Sequence, residues 1–216
     1  MLSMPYFHPE FHSILQPHPI FWTAGPNPYE VAKSIVQCRM LSGRYRTEQL
    51  AKHWSSNKHG FCLAPMCKFV HESLEHILLW CPSYQPVRER LKNLWLGSGN
   101  PHVTHLVKSM LDGPPRHLVQ FILDASVHPT TISLVQLFGD IPLKIIFHLT
   151  RSWCFAIHKE RSKILGRWPW LDLHFLCIRF SGTLDQISQL LQMEIPGNYI
   201  NNSVIIWVWK SLFGCS

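Results

Sequence analysis

The stretch GFCLAPMCKFVHESLEHILLWCP, residues 60–82, places three cysteines and one histidine at the spacing Cys62-x4-Cys67-x8-His76-x4-Cys81. Thiolate sulfur and imidazole nitrogen are ligands that zinc prefers, and zinc in structural sites takes four of them in a tetrahedron. A Cys3His set fills all four positions and leaves none for water or substrate. The spacing therefore predicts one structural Zn²⁺ site with these four residues as its ligands.

Two of the predicted ligands belong to a short helix. Residues 73–80 have a helical pattern, with Ser73 in the position of an N-cap and Pro82 as a stop. On an unbroken α-helix, a separation of five residues places two side chains about 140° apart. His76 and Cys81 can therefore face one ion only if the helix loosens at its end, and we expect it to do so before Pro82.

Other interpretations of this stretch remain open. The cysteines could be small buried hydrophobic residues and His76 a hydrogen-bonded core histidine. His59 and His71 are spare imidazoles close enough to replace His76 as a ligand. The segment from His71 to His76 resembles the HExxH metalloprotease motif, but that motif needs two histidines four residues apart, and these are five apart.

Motifs of other enzyme classes are absent from the sequence. It contains no Pro-Cys-x-x-Cys of the zinc deaminases, no P-loop, no dinucleotide fingerprint and no nucleophile elbow. Its aspartates are scattered singly. We therefore predict that the chain is not an enzyme.

On both sides of the stretch the sequence predicts helices. Apolar residues recur at helical period from Val31 to Met40, with Gly43 just beyond, and Thr47 is in position to cap a second short helix. Further apolar stripes at helical spacing cover residues 87–95, 103–111, 118–123, 131–138 and 142–165. The predicted fold class is mainly α: a small helical domain with a zinc knuckle, an irregular N-terminal arm and a C-terminal tail.

Composition divides the chain into four predicted segments. Residues 1–28 are rich in proline, which blocks regular helix, and are predicted to form an extended arm. Residues 29–96 form the zinc-binding helical module, and residues 97–168, after a break rich in glycine, form a helical C-terminal module. Residues 169–216 have short β-prone runs and no clear helical stripe, and they stay unassigned.

The chain is basic, yet poor in charge overall. Its formal net charge is +7, with 15% charged and 46% hydrophobic residues. A positive field attracts polyanions, so nucleic acid or an anionic membrane is the first partner to consider, and the scarcity of charge suggests apolar surface that another domain covers. The first residues lack a secretory signal, and the apolar runs fall short of the roughly 18 residues that span a bilayer. We expect a nuclear or cytoplasmic protein that is neither secreted nor inserted in a membrane.

Three segments carry a resemblance to a known family. MLSGRYRTEQLAKHW (residues 40–54), ESLEHILLWCP (72–82) and RSWCFAIHKERSKILGRW (151–168) resemble the tail that follows the reverse transcriptase domain in polyproteins of LINE-type (non-LTR) retrotransposons. That family's motif, a Leu-x-Gly-Arg-like helix end followed by a Cys-Cys-His-Cys zinc knuckle, matches residues 41–44 and the four predicted ligands. The resemblance implies a zinc-binding module with nucleic acid, RNA or DNA, as a partner, and a reverse transcriptase domain as another.

Two departures limit what this resemblance implies. The family's endonuclease and polymerase domains have no counterpart here, and no Asp-Asp pair occurs that could hold catalytic magnesium. Enzyme activity is therefore not carried over, and residues 169–216 resemble nothing in the family. Besides a nucleic-acid-binding module, the sequence allows a zinc domain that only docks onto a protein, or a non-functional relic of an element.

Basic residues around the predicted zinc module are candidates for phosphate contacts, which carry little sequence specificity. An aromatic ring beside them could stack on unpaired bases, and Tyr45 and Trp54 are the candidates. The alternatives are a solvated charged face for the cations and core packing for the rings. The predicted phosphate contacts are Arg39, Arg44, Arg46, Lys52, Lys58 and Lys68.

Overall fold

The computed structural model of the chain describes residues 18–53 and 59–166, and it confirms a mainly α fold. Outside its helices, these residues form a single isolated antiparallel bridge between Phe61 and His71. The α-helices are α1 (Pro19–Trp22), α2 (Pro28–Leu41), α3 (Glu48–Lys52), α4 (Gln85–Leu96), α5 (Pro101–Asp112), α6 (Pro115–Leu123), α7 (Pro129–Phe138) and α8 (Asp140–Ile164). A π-helical turn at His76–Trp80 and 3-10 turns at Pro82–Tyr84 and Ala125–Val127 complete the described elements.

Local capping explains where several helices begin. The Asn27 side chain accepts a hydrogen bond from the backbone N–H of Tyr29, and Pro28 occupies the first helical position of α2. Thr47 Oγ1 accepts from the backbone N–H of Leu50 at 3.0 Å, which confirms the predicted cap of α3. Gly43 follows α2 with a φ of +68°, a left-handed conformation that glycine adopts without steric cost.

The long helix α8 is the centre of the fold. It packs against α2, α4, α6 and α7. Trp153 of α8 contacts Trp95 of α4 with ring centroids 4.6 Å apart, and both rings are fully buried. The Trp95 indole N–H donates to Leu149 O. The Trp153 indole N–H donates to Leu78 O, which lies in the knuckle, the name used here for residues 60–82. These hydrogen bonds satisfy both buried N–H groups, so the tryptophan pair ties the knuckle to the helical core.

The described residues up to Gly166 belong to one compact unit. The structure does not divide them at the predicted boundary after residue 96, because α8 packs directly on α2 and α4. The sequence break after α4 is a turn between packed helices. The predicted tail, residues 169–216, lies outside the described residues.

Of the predicted extended arm, residues 1–28, the structure describes residues 18–28, and part of these is helical where an extended chain was predicted. Residues 19–22 form α1, and Ile20 is buried. Proline is tolerated at the first position of a helix, and the His18 side chain caps it by accepting from the backbone N–H of Ile20. Ser34 and Arg151 donate to Ile20 O from α2 and α8. These contacts with α2 and α8 hold residues 19–22 in a helical turn, although the prolines of this segment predict an extended chain. Residues 1–17 lie outside the residues that the structure describes.

Glu30 fastens the first turn of α2 to α8. Its carboxylate accepts from Lys33 Nζ at 2.6 Å and lies 3.3 Å from Arg151 and from His148. Burial alone would raise its pKa, but the hydrogen bonds and charges of His148 and Lys33 outweigh burial and lower the pKa to about 2. Because the folded-state pKa lies below the unfolded one, the carboxylate stabilises the fold above about pH 4.5, and this contribution disappears as the pH falls towards 2.

We expect Glu30→Gln to lower the free energy of unfolding by about 2–3 kcal/mol at neutral pH. The difference from the unsubstituted chain should shrink as the pH falls from about 4.5 towards 2, because the unfolded chain then binds a proton that the native carboxylate does not. Urea unfolding of both proteins across this pH range measures it. Glu89→Gln is the matched control, because the Glu89–Lys92 pair is exposed and should contribute about 1 kcal/mol at most. Equal losses in the two variants would contradict the prediction.

Candidate metal centre

A short hairpin from Gly60 to Glu72 carries Cys62 and Cys67. The Cys62 N–H donates to Val70 O at 2.8 Å, and the Glu72 N–H donates to Gly60 O at 2.9 Å. At the tip, the Cys67 N–H donates to Ala64 O, which closes a turn between the two cysteines. Gly60 has a φ of +78°, so the hairpin begins where a side chain would strain the backbone. The hairpin folds Cys62 and Cys67 to the same side of the knuckle.

His76 and Cys81 come from the helical half of the knuckle. Ser73 Oγ accepts from the backbone N–H of His76 at 3.0 Å, as expected of an N-cap. From His76 the helix widens into a π-helical turn, in which the Cys81 N–H donates to His76 O at 2.7 Å. A π-turn holds more residues than an α-turn, so residues five apart come closer to one face. This turn is the loosening that the spacing of His76 and Cys81 requires.

The four predicted ligands meet at one point. Their ligand atoms all lie within 4.8 Å of one another, and the cluster could hold a metal ion. The Sγ atoms of Cys62 and Cys81 are 3.9 Å apart, and Cys67 Sγ lies 3.4 Å from both Cys81 Sγ and His76 Nε2. A tetrahedral zinc with Zn–S near 2.3 Å and Zn–N near 2.0 Å requires about 3.8 Å between sulfurs and about 3.5 Å between sulfur and nitrogen. These three separations come close to that geometry, and a Cys3His donor set is one that structural zinc sites use.

Burial closes the site to solvent. The exposed fractions of Cys62, Cys67, His76 and Cys81 are 5%, 6%, 6% and 0%. His59 and His71, the two spare imidazoles, are exposed and lie outside the cluster, with the His71 ring against Phe61. The structure thus favours His76 over His71 as the imidazole ligand.

The pKa values of the three thiols depend on their burial and on the hydrogen bonds between them. The hydrogen bond with Cys81, together with burial, raises the pKa of Cys62, and burial raises that of Cys67. Hydrogen bonding from Cys62 lowers the pKa of Cys81. Backbone hydrogen bonds at Ala64 and Ser83 favour the thiolates of Cys62 and Cys81. Three thiolates this close repel one another, so a cation must be present for all of them to ionise.

Sequence reasoning missed the ion pair that anchors this knuckle. Arg161 of α8 donates from Nε and Nη2 to the two carboxylate oxygens of Glu72, at 3.1 and 2.8 Å, and both side chains are buried. The same carboxylate accepts from the backbone N–H of Glu48 at 2.6 Å, which docks the start of α3 on the knuckle. On the other side, Arg88 Nη2 donates to Cys81 O at 2.6 Å.

The structure separates the predicted nucleic-acid contacts into two groups. Tyr45 is buried: its hydroxyl lies 3.1 Å from His158 Nδ1, and the Arg161 guanidinium covers its ring. A buried ring cannot stack on a base, so the stacking role expected of Tyr45 is wrong. Arg39 is half-buried at the end of α2. Trp54 and Lys58 lie outside the described residues.

Four predicted phosphate contacts are exposed around the knuckle: Arg44, Arg46, Lys52 and Lys68. Lys52 lies against the start of the hairpin, since a methyl group added to Gly60 would be 3.3 Å from Lys52 Cδ. Arg44 and Arg46 belong to the α2–α3 connection, which Glu72 holds through the N–H of Glu48. Lys52 and Lys68 therefore lie at the hairpin, and Arg44 and Arg46 lie a few residues before the helix start that Glu72 holds.

None of the described helices is long and apolar enough to cross a membrane. No family model matches the chain, and neither a curated protein nor a solved structure is significantly similar to it, so the resemblance to LINE-type retrotransposon tails stays a prediction.

Proposed function

We propose that this chain is a non-catalytic nucleic-acid-binding module whose knuckle is held together by one Zn²⁺ ion. The observation that carries the proposal is the convergence of Cys62, Cys67, His76 and Cys81 into one buried donor set. Zinc bound there would cross-link the hairpin to the π-turn and balance the charge of the thiolates. Four protein ligands leave no open position for substrate, so the role of the ion is structural.

The positive charge around the knuckle supports nucleic acid as the partner. Arg44, Arg46, Lys52 and Lys68 are exposed at the hairpin or on the α2–α3 connection, and the chain as a whole is basic. Cations of this kind contact phosphates and release counterions, which gives affinity without sequence preference. The resemblance to the tails of LINE-type retrotransposon proteins points to the same class of partner.

A second candidate function is docking onto a protein, such as a reverse transcriptase domain. Large apolar side chains exposed on α7 and at the start of α8 favour it, because exposed apolar surface can mark interaction sites. The exposed members are Ile132, Leu137, Phe138 and Ile141.

A salt titration separates the two functions. If the cations contact phosphates, log affinity falls linearly with log salt, by about 0.7 per contact on single strands and about 0.9 on duplex. Arg44→Glu with Arg46→Glu should weaken binding of zinc-loaded protein to all sequences alike and flatten that slope, since phosphate contacts carry no base information. Labelled RNA and DNA of mixed sequence are suitable probes.

The matched control replaces exposed lysines on α5 and α8, Lys108→Glu with Lys144→Glu. Both double variants change the net charge equally, so a local interface predicts a larger loss in the first. Equal losses of affinity would indicate that nucleic acid is attracted only by the long-range positive field of the protein. Absence of binding by folded, zinc-loaded protein at low salt would leave protein docking as the function.

A further inference from the structure

Aromatic rings cover the outer surface of the hairpin. Phe61 lies at its centre, with the rings of His71 at 4.9 Å, Phe69 at 5.9 Å and His59 at 6.4 Å between centroids. The bridge between Phe61 and His71 holds two of these rings side by side. We call these four residues, His59, Phe61, Phe69 and His71, the ring face. Phe61, Phe69 and His71 belong to the hairpin that carries two of the candidate metal ligands, and His59 directly precedes it.

Phe69 is held in solvent at a cost. Its side chain is 82% exposed, the largest exposure among the large hydrophobic residues that the structure describes. Its φ of +58° makes it the sole non-glycine residue in the described ranges with a left-handed backbone. That conformation is rare for a bulky residue and strains the backbone. Its edge-to-face contact with Phe61 leaves most of the ring in solvent, and both the exposure and the strained backbone suit a surface that a ligand covers.

The charge around the ring face indicates which class of ligand would cover it. Residues 59–71 contain no carboxylate, and Lys68 directly precedes Phe69. Lys52 lies against Gly60, the residue that separates His59 from Phe61 in the chain. Surfaces that bind single strands combine cations, which follow the phosphate backbone, with rings on which successive bases stack. An apolar peptide would use the rings but gain nothing from the cations.

We infer that the ring face is the surface on which unpaired bases stack, so that the module prefers single-stranded nucleic acid to duplex. The inference rests on the proposed nucleic-acid function and adds the form of the ligand. In a duplex the base faces are stacked on each other and offer only their edges in the grooves. A single strand can splay its bases onto Phe61 and Phe69 while Lys52 and Lys68 contact its phosphates.

The test compares the full zinc-loaded chain with its Phe69→Asn variant on two probes: an oligothymidine of about 12 nucleotides and a blunt-ended DNA duplex without unpaired bases. Asparagine tolerates the left-handed backbone, so this variant removes the ring without adding strain. Stacking is worth about 1–3 kcal/mol per base, so single-strand affinity should fall about 5- to 150-fold. Duplex affinity should change less than about twofold, because it would rest on phosphate contacts alone.

Three further results complete the test. The slope of log affinity against log salt should not change in Phe69→Asn, since no cation is lost. Phe69→Tyr keeps an aromatic ring and should bind single strands as the unsubstituted chain does. Leu94→Asn, at another exposed apolar position, should alter neither affinity. Equal weakening on both probes, or no weakening of oligothymidine binding by Phe69→Asn, would contradict base stacking on the ring face while leaving the proposed function intact. Failure of the unsubstituted chain to bind either probe would overturn both.

Discussion

Cys81→Ser is expected to abolish zinc binding and unfold residues 60–82. Cys81 is fully buried, and its Sγ lies within 3.9 Å of both other thiols, so its loss opens the centre of the donor set. Structural zinc contributes about 10–16 kcal/mol of apparent binding free energy, far more than a hairpin with one bridge can supply. Zinc content by elemental analysis, and circular dichroism with and without added zinc, would measure the two effects.

Matched variants make this prediction specific. Cys154→Ser changes another buried cysteine, one that lies near Ile122 O instead of in the cluster, and it should keep its zinc. His76→Ala should lose zinc, whereas His71→Ala should retain it because the His71 ring contacts Phe61 outside the donor set. Full zinc content in Cys81→Ser would show that the ligand assignment is wrong. Loss of zinc in His71→Ala but not in His76→Ala would make His71 the imidazole ligand.

Arg161→Leu is expected to lower the free energy of unfolding by about 3–5 kcal/mol, because it leaves the buried carboxylate of Glu72 without its partner. Arg161 and Glu72 form two hydrogen bonds across 89 residues of sequence. Glu72→Gln should cost a comparable amount, since it leaves the guanidinium buried and uncompensated. The double variant should be more stable than the sum of the two losses predicts, because both charges are then gone. Urea unfolding of zinc-loaded proteins would measure all three.

Another ion pair on α8 serves as the control. Glu160 and Lys163 form an exposed pair on the same helix, and Glu160→Gln should change stability by about 1 kcal/mol at most. Similar losses in Glu160→Gln and Arg161→Leu would contradict the anchoring role of the buried pair. Full additivity of the Glu72 and Arg161 substitutions would contradict a direct interaction between them.

Local chemistry made much of this structure predictable. The Cys-Cys-His-Cys spacing identified the four residues that converge, because a tetrahedral ion constrains short segments strongly. The positions of Thr47 and Ser73 were predicted as caps, and both side chains accept the expected backbone N–H. The separation of His76 and Cys81 also required a loosened helix end, although nothing in the spacing specified a π-turn.

Features set by distant residues were not predictable in this way. The Glu72–Arg161 pair joins segments whose separation no local pattern encodes. Tyr45 was assigned to a binding surface because it lies between two arginines, yet His158 and Arg161 of α8 enclose it. Leu94 falls within the apolar stripe predicted over residues 87–95 but is exposed, since helical period predicts the stripe and not which of its residues reach the core. In each instance tertiary packing decided the outcome.

Native mass spectrometry of the full chain, purified without chelators from zinc-supplemented medium, tests the central claim most directly. The folded protein should exceed its sequence mass by one zinc ion per chain. Chelation should then remove the ion together with the fold of residues 60–82. A chain that stays folded and carries no zinc, even with zinc in excess, would contradict the metal centre on which the proposed function depends.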